Sequence, residues 1–230
     1  MKSLVFDSST IITLAMNNLL WLLKPLRKKF RGEFYIPLSV KKEIIDTPLK
    51  SKKFKFEALQ VLKVIREGDL KIYDDSKLAS KTKELVRLMN KIFSSGNKDL
   101  KVLHEGEVSA LVLAQELGSQ AVVIDERTTR MLLERPFELG DYLKRKLHRD
   151  IFVNRKVLDR FSKEFKSLRI IRSVELGLVA YELGLLDRYI PDKKLGNEKD
   201  LLDAFLWGAK LRGCAVSVSE INSLLAIEGF

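Results

Sequence analysis

Cysteine is almost missing from this chain: Cys214 is the only one in 230 residues. One thiol excludes an intramolecular disulfide and any cysteine-rich zinc site. Histidine is nearly as scarce, with only His104 and His148, so a histidine-built metal centre or triad is poorly supported. Neither a glycine-rich phosphate loop nor a GxSxG nucleophile elbow occurs. Tandem repeats and low-complexity tracts are missing too. The longest apolar stretch, Ile11–Leu23, is broken by Thr13, Asn17 and Asn18 and is too short and polar to cross a membrane. The opening Met-Lys, followed by LVF and an aspartate, is not a signal peptide, and a cytoplasmic protein is expected.

Acidic residues are in deficit. There are 31 against 42 Lys and Arg, giving a net charge of +11. A chain this basic suits a polyanionic partner, although a lysine-rich surface with no particular partner reads the same way. Abundant Lys and Glu together also suit a thermophile. Hydrophobic residues make up 46%, enough for a folded chain with a substantial core.

What is present is a repeated pattern: buried strand, acid, helix start. Ser3–Phe6 reads as a short apolar strand ending in Asp7, with Ser8 or Ser9 to cap the next helix. Ala121–Ile124 is a second such strand, ending in Asp125 with Glu126 and Arg127 behind it. Ligands of open α/β sheets collect where strands end, so both aspartates mark one sheet edge. Simple N-capping explains Asp7 equally well when it is taken alone.

Between them, Glu105–Leu117 reads as a helix stopped by Gly118. Glu107 falls on its small apolar stripe between Ala110, Leu111 and Ala114, while Glu105 points elsewhere. A carboxylate among alanines and leucines is costly unless it is paired or binds a metal. A rim position or a lysine partner would explain it as well. Glu43, in the helix LSVKKEIID, borders the apolar edge set by Val40 and Ile44. It is a further candidate acid, or else an exposed partner of Lys41 or Lys42.

Strands and helices alternate through the rest of the first half, which predicts a parallel α/β sheet. Lys50–Lys55 is a basic turn, and Ser94–Asn97 reads as a loop. From Lys144 to Arg172, eleven Lys and Arg face three acids, a local net charge of +8. This is either a solvated helix face or an electrostatic guide for nucleic acid. Pro191–Glu198 reads as a polar loop. Helices follow to about residue 228, and Asp203 ranks low as a ligand.

If Asp7, Glu43, Glu107 and Asp125 converge, their repulsion must be offset by protons or cations. Hard oxygen donors without His or Cys select Mg²⁺ or Mn²⁺. With a basic surface, phosphodiester hydrolysis is the natural inference.

VFDSST, KKEII, GEVSALVLA and VIDERTTR, in this order over residues 3–134, resemble the PIN-domain nucleases. The likeness is to the archaeal and bacterial branch with a GE-x-x-A helix followed by D-[DE]-R. It continues more loosely through IIRSVELGLVAYELGLL and LLDAFLWGAKLRGCAVSVSEI. The resemblance implies one three-layer α/β/α domain over residues 1–230, with a mostly parallel, about five-stranded sheet. A basic insertion would lie at about 136–170 and C-terminal helices at about 173–228. It implies Mg²⁺- or Mn²⁺-dependent cleavage of RNA, usually single-stranded. By position Asp7, Glu43, Glu107 and Asp125 would hold the metal and its nucleophilic water. Ser9 would orient the first aspartate, and Glu126 and Arg127 would support the site. Lys144, Arg145, Lys146, Arg149, Arg155 and Lys156 are the residues expected to meet RNA. The resemblance allows a homodimer and a cognate antitoxin, but the basic segment counts against the antitoxin. Glu107 also departs from the aspartate that many PIN nucleases carry there.

Two rival readings remain at this stage. A haloacid dehalogenase-like phosphohydrolase also begins with a strand and an aspartate, but wants an acid where this chain has Ser9. A catalytically weak RNA-binding or protein-docking module of the same fold is the alternative from another class.

Overall fold

A computed structural model describes residues 2–190 and 197–230. Most of the polar loop expected at 191–198 therefore lies outside the described residues. The centre is a parallel sheet of β1 (Ser3–Phe6), β2 (Glu33–Pro37), β3 (Lys71–Tyr73), β6 (Ala121–Val123) and β8 (Ile170–Ile171), in the order β3-β2-β1-β6-β8. Every neighbouring pair is parallel. β1 is thus the middle strand. The chain builds outward from it through β2 and β3, then returns to its other side with β6 and β8. The reversal between β1 and β6 is the point where open α/β sheets hold their ligands. Asp7 and Asp125 follow those two strands.

Side chains alternate across the sheet, and the alternation sorts the core into two layers. Leu4, Phe6, Phe34, Ile36 and Val123 face α1 (Ser8–Met16), α2 (Leu23–Phe30), α5 (Lys55–Arg66) and the C-terminal helices. Val5, Val122 and Ile124 face α6 (Ser76–Met89), α7 (Glu105–Glu116), α8 (Arg127–Glu134), α9 (Pro136–Leu147) and α10 (Arg155–Glu164). Helix α7 is buried over its whole span from Gly106 to Ala114. Such burial removes the polar face that makes surface helices easy to recognise. Gly118, at φ +56°, ends it as expected.

Helix α3 (Leu38–Lys41) widens into a π-turn over Lys42–Asp46, and α4 (Thr47–Leu49) follows. Pro48 has no N–H to give Ile44, and its ring crowds that carbonyl, which favours a wider turn. Glu43 sits in this turn.

The serine-rich loop expected at 94–97 is instead a hairpin. β4 (Phe93–Ser95) pairs antiparallel with β5 (Lys98–Asp99) around Gly96, at φ +58°, and with β7 (Phe152–Val153) on its other side. The strands on either side of Gly96 are too short and too polar to hold a readable alternation. After β8 come α11 (Ser173–Glu182), α12 (Glu198–Leu211) and α13 (Val218–Ile227). Gly177 lets α11 lie on Phe205 of α12, where a Cβ would come within 1.8 Å of the ring. Among the described residues no helix is long and apolar enough to cross a membrane.

Candidate metal centre

Asp7 ends the central strand and caps α1 itself, as its N-capping reading allowed, rather than Ser8 or Ser9. Its Oδ2 accepts from the Ser9 backbone N–H at 3.1 Å and from Ser9 Oγ at 2.6 Å. Ser9 Oγ in turn accepts from the Asp125 N–H at 3.0 Å. One hydroxyl therefore ties the ends of β1 and β6 together while orienting Asp7. The other Asp7 oxygen, Oδ1, is buried and has no hydrogen-bond partner. Burial pushes the carboxyl of Asp7 up to about 6, against the Ser9 bonds, with a further push from Glu43.

Glu43 faces the same space. A Cβ on Gly106 would lie 3.0 Å from Glu43 Oε2 and 3.8 Å from Asp7 Oδ1. Gly106 therefore opens the hollow that both carboxylates border. It is absent from the sequence-based residue set, and its signal was the GE pair at the head of α7. Its φ is ordinary, so the requirement is for space rather than for a left-handed backbone. Ser39 and Ser109 hydroxyls bond one another, and Ser109 also donates to the Gly106 carbonyl at 2.7 Å. This pair pins α3 to the first turn of α7.

Glu107, not Glu105, turns inward: Glu107 is 9% exposed and Glu105 is at the surface. Its Oε2 accepts from the His104 N–H at 2.6 Å and so caps its own helix. Burial pushes its carboxyl up to about 8, and the charges of Asp7, Glu126 and Glu43 add to the push. Those three acids define the cluster around it.

Asp125 is placed differently. Counting from Val123, the alternation sends its side chain toward the C-terminal helices rather than toward α7. It is fully buried, and its Oδ1 accepts from the Ser173 N–H at 2.7 Å at the start of α11. Burial, and then the charge of Asp125, push the Cys214 thiol up to about 12. Glu126, one residue on, takes the side that Ile124 takes and so reaches the charge of Glu107. Its own Oε2 accepts from the Thr129 N–H at 2.6 Å, capping α8. Asp7 and Glu43 thus border one hollow, and Glu107 lies near enough to feel the charges of Asp7, Glu126 and Glu43. Asp125 is tied to Asp7 through the Ser9 hydroxyl, and its own Oδ2 is likewise buried without a hydrogen-bond partner.

The donor set suits a hard divalent cation in part. Two carboxylate oxygens face one hollow, and one of them is buried without a partner, a costly state that a cation would relieve. Among the described residues no group of three His, Cys, Asp or Glu is arranged to hold an ion. Glu107 Oε2 is engaged with the His104 N–H.

Of the basic residues singled out by sequence, Lys144, Arg145, Lys146, Arg149, Arg155 and Lys156 are all exposed. Lys144 pairs with Asp150 at 2.8 Å. Lys146 and Arg127 each lie 5.8 Å from the ring centre of Tyr142, which joins α9 to the start of α8 beside Glu126. Arg172, counted with the basic run, is an interior residue. It is 8% exposed and bonds Glu175, Glu220 Oε1 at 2.7 Å and the Ala215 carbonyl at 3.1 Å.

A family model described as PIN domain (DUF3368) matches residues 3–136, more than half of the chain. This protein belongs to the PIN-domain family. PIN domains have a nuclease fold and typically use divalent metals. Comparison with curated proteins and with solved structures gave no match. The matched span of this PIN domain holds β1 through α8 and therefore every acid of the cluster. α9 through α13 lie almost wholly beyond it.

Gly106→Ala is a direct test of the hollow. The added methyl meets Glu43 Oε2 at 3.0 Å, tighter than ordinary contact, while alanine suits a helix better than glycine. The expected outcome is a Tm within a few degrees of wild type and Mn²⁺ affinity reduced at least about tenfold, like other changes beside a metal ligand. Unchanged Mn²⁺ affinity by calorimetry would remove the hollow from the site.

Proposed function

We propose that this PIN domain is a Mg²⁺- or Mn²⁺-dependent ribonuclease acting on single-stranded RNA. The observation that carries the reading is the partnerless Asp7 Oδ1 facing Glu43 across the gap left by Gly106. Asp7 and Glu43 would hold the ion. Ser9 fixes the Asp7 carboxylate so that Oδ1, not Oδ2, points into the hollow. A bound divalent ion supplies a Lewis acid for a phosphate oxygen and lowers the pKa of water. Glu107, with its carboxyl raised to about 8, would accept the proton of the attacking water only in its ionised fraction, so cleavage should rise with pH up to about 8. As the water oxygen joins phosphorus, the bond to the leaving ester oxygen breaks and that oxygen takes a proton. Glu126 completes the charge cluster. Asp125 we assign to holding α11 under the site. A cytoplasmic location and a homodimer are kept within this reading, and a toxin–antitoxin role is not adopted.

One observation favours a second reading, a weak RNA-binding or docking module. Glu107 is spent on capping, and no three-acid cage stands ready among the described residues. A cleavage assay separates the two. Labelled single-stranded RNA should be cut with Mn²⁺ and left whole in EDTA. Binding without cutting under every divalent metal returns the protein to the module.

The basic segment has its own test. Lys144, Arg145, Lys146 and Arg149 replaced together by Gln should weaken RNA binding and flatten the salt dependence. Each lost phosphate contact should reduce the log–log slope by about 0.7. An unaltered slope would make the segment an ordinary solvated face.

A further inference from the structure

A cavity of about 280 Å³ opens between α1, the π-turn and α5. Ile12, Ile44, Val61 and Phe54 supply apolar wall, Lys53 also lines it, and so does Glu43. The cavity and the acid cluster thus share a side chain. Phe54 is the unusual residue. It holds a left-handed backbone, φ +60° and ψ 18°, which is strained for a bulky residue. The strain gains no burial, because the ring stays 54% exposed at the cavity edge. Around it, Lys50, Lys52, Lys53 and Lys55 are exposed and alternate with Phe54 and Phe56 in KSKKFKF.

Rings interleaved with cations beside an apolar slot are what an unpaired strand needs. Bases stack on the rings, and the phosphates between them meet ammonium groups. A paired base is already stacked on both faces and cannot enter. We propose that this cavity takes an unpaired nucleobase of the RNA strand that reaches the acids, stacked on Phe54, with Lys50–Lys55 on the adjoining phosphates. The proposal rests on the ribonuclease reading and adds to it a base subsite outside the acids. It makes Phe54 a determinant of the preference for single strands.

The test measures binding apart from cutting. A labelled oligouridine and a labelled RNA duplex are titrated with the full chain in EDTA, where no cleavage occurs. Phe54→Gly removes the ring while glycine accepts the left-handed backbone without strain, so the Tm should hold or rise. Loss of one stacked base predicts oligouridine affinity roughly ten- to a hundredfold weaker. Phe54→Trp should stay within about threefold of wild type, since any flat ring stacks. Wild type should prefer oligouridine to duplex. Equal affinity for duplex, or unchanged oligouridine affinity in Phe54→Gly, overturns the proposal. So does a wild-type dimer that Phe54→Gly dissociates without changing RNA affinity, which would make this face a self-contact. The two readings fail separately. Cutting with Mn²⁺ that Phe54→Gly leaves untouched, together with unchanged binding, sinks only the base subsite. Ring-dependent binding with no cutting under any metal sinks only the nuclease.

Discussion

Asp7→Asn is expected to abolish Mn²⁺-stimulated RNA cleavage and, at the same time, to raise the stability of the metal-free protein near pH 8. The two effects share one cause. Asp7 is buried, and its charge is stabilised by Ser9 on one oxygen only. In a protein kept only for its fold, that charge is a cost. Asparagine is as good an N-cap as aspartate and can still accept from the Ser9 N–H. Removing the charge therefore keeps α1 started and relieves the burial. Polarisation by a metal is worth several kcal/mol, so losing a ligand should slow cleavage by about 10²–10⁴-fold. The measurement pairs single-turnover cleavage with thermal unfolding on the same samples. If the variant loses activity but also loses stability, Asp7 is a structural cap and the activity loss says nothing about a metal.

The second large effect is a stability that falls as pH rises. Asp7 is raised from 3.8 to about 6 and Glu107 from 4.5 to about 8 in the folded protein. Between the unfolded and folded values the native state binds more protons than the unfolded one, so stability drops with pH. The drop should begin near pH 4 and be complete a little above pH 8. Each unit is worth about 1.4 kcal/mol, so Asp7 alone contributes roughly 3 kcal/mol. About one of those two units falls above pH 5, roughly 1.4 kcal/mol, so for a chain of this length Asp7 alone lowers the Tm by about 3–6 °C at pH 8.5 relative to pH 5. Glu220, held down to about 2 mainly by its bonds to Ser217 and Arg172 against burial, works the other way. Its contribution is full above 4.5 and so adds no slope in this window. Mn²⁺ should restore much of the loss at pH 8.5 by replacing the protons, and Glu107→Gln should flatten the profile. A level metal-free profile between about pH 5 and 8.5 would falsify the picture of carboxylates strained by burial.

The sequence made much of this readable, for physical reasons that differ by residue. Asp7 and Asp125 stood out because a charge after a buried strand breaks an apolar run. Glu107 stood out because helical periodicity put it among alanines. Which side of the sheet Asp125 and Glu126 each face could be told only by knowing which face of β6 meets α7. Periodicity shows that neighbours point oppositely but not which side is which. Gly106 stood in plain view in the GE pair, but what it does could not be read from it. Its role is the absence of an atom between Asp7 and Glu43, side chains far away in sequence. The hairpin at Phe93–Asp99 was too short for a pattern, and Arg172 looked like its basic neighbours until its partners Glu175 and Glu220 were in view. Phe54 had no sequence signal beyond its lysines, since the strain lies in a dihedral angle.

The bond from Asp125 to Ser9 spans 116 positions of chain. The central strand also precedes the other four strands of its sheet in the chain. A chain made from its N-terminus has Asp7 early, and Glu43 soon after, but nothing to lay against the far side of β1 until β6 has emerged. Until then the first aspartate sits at an open sheet edge in water, where a carboxylate keeps its ordinary affinity for protons and holds a divalent ion weakly. The acids after β1 and β6 therefore come together only once β6 has been made and laid beside β1.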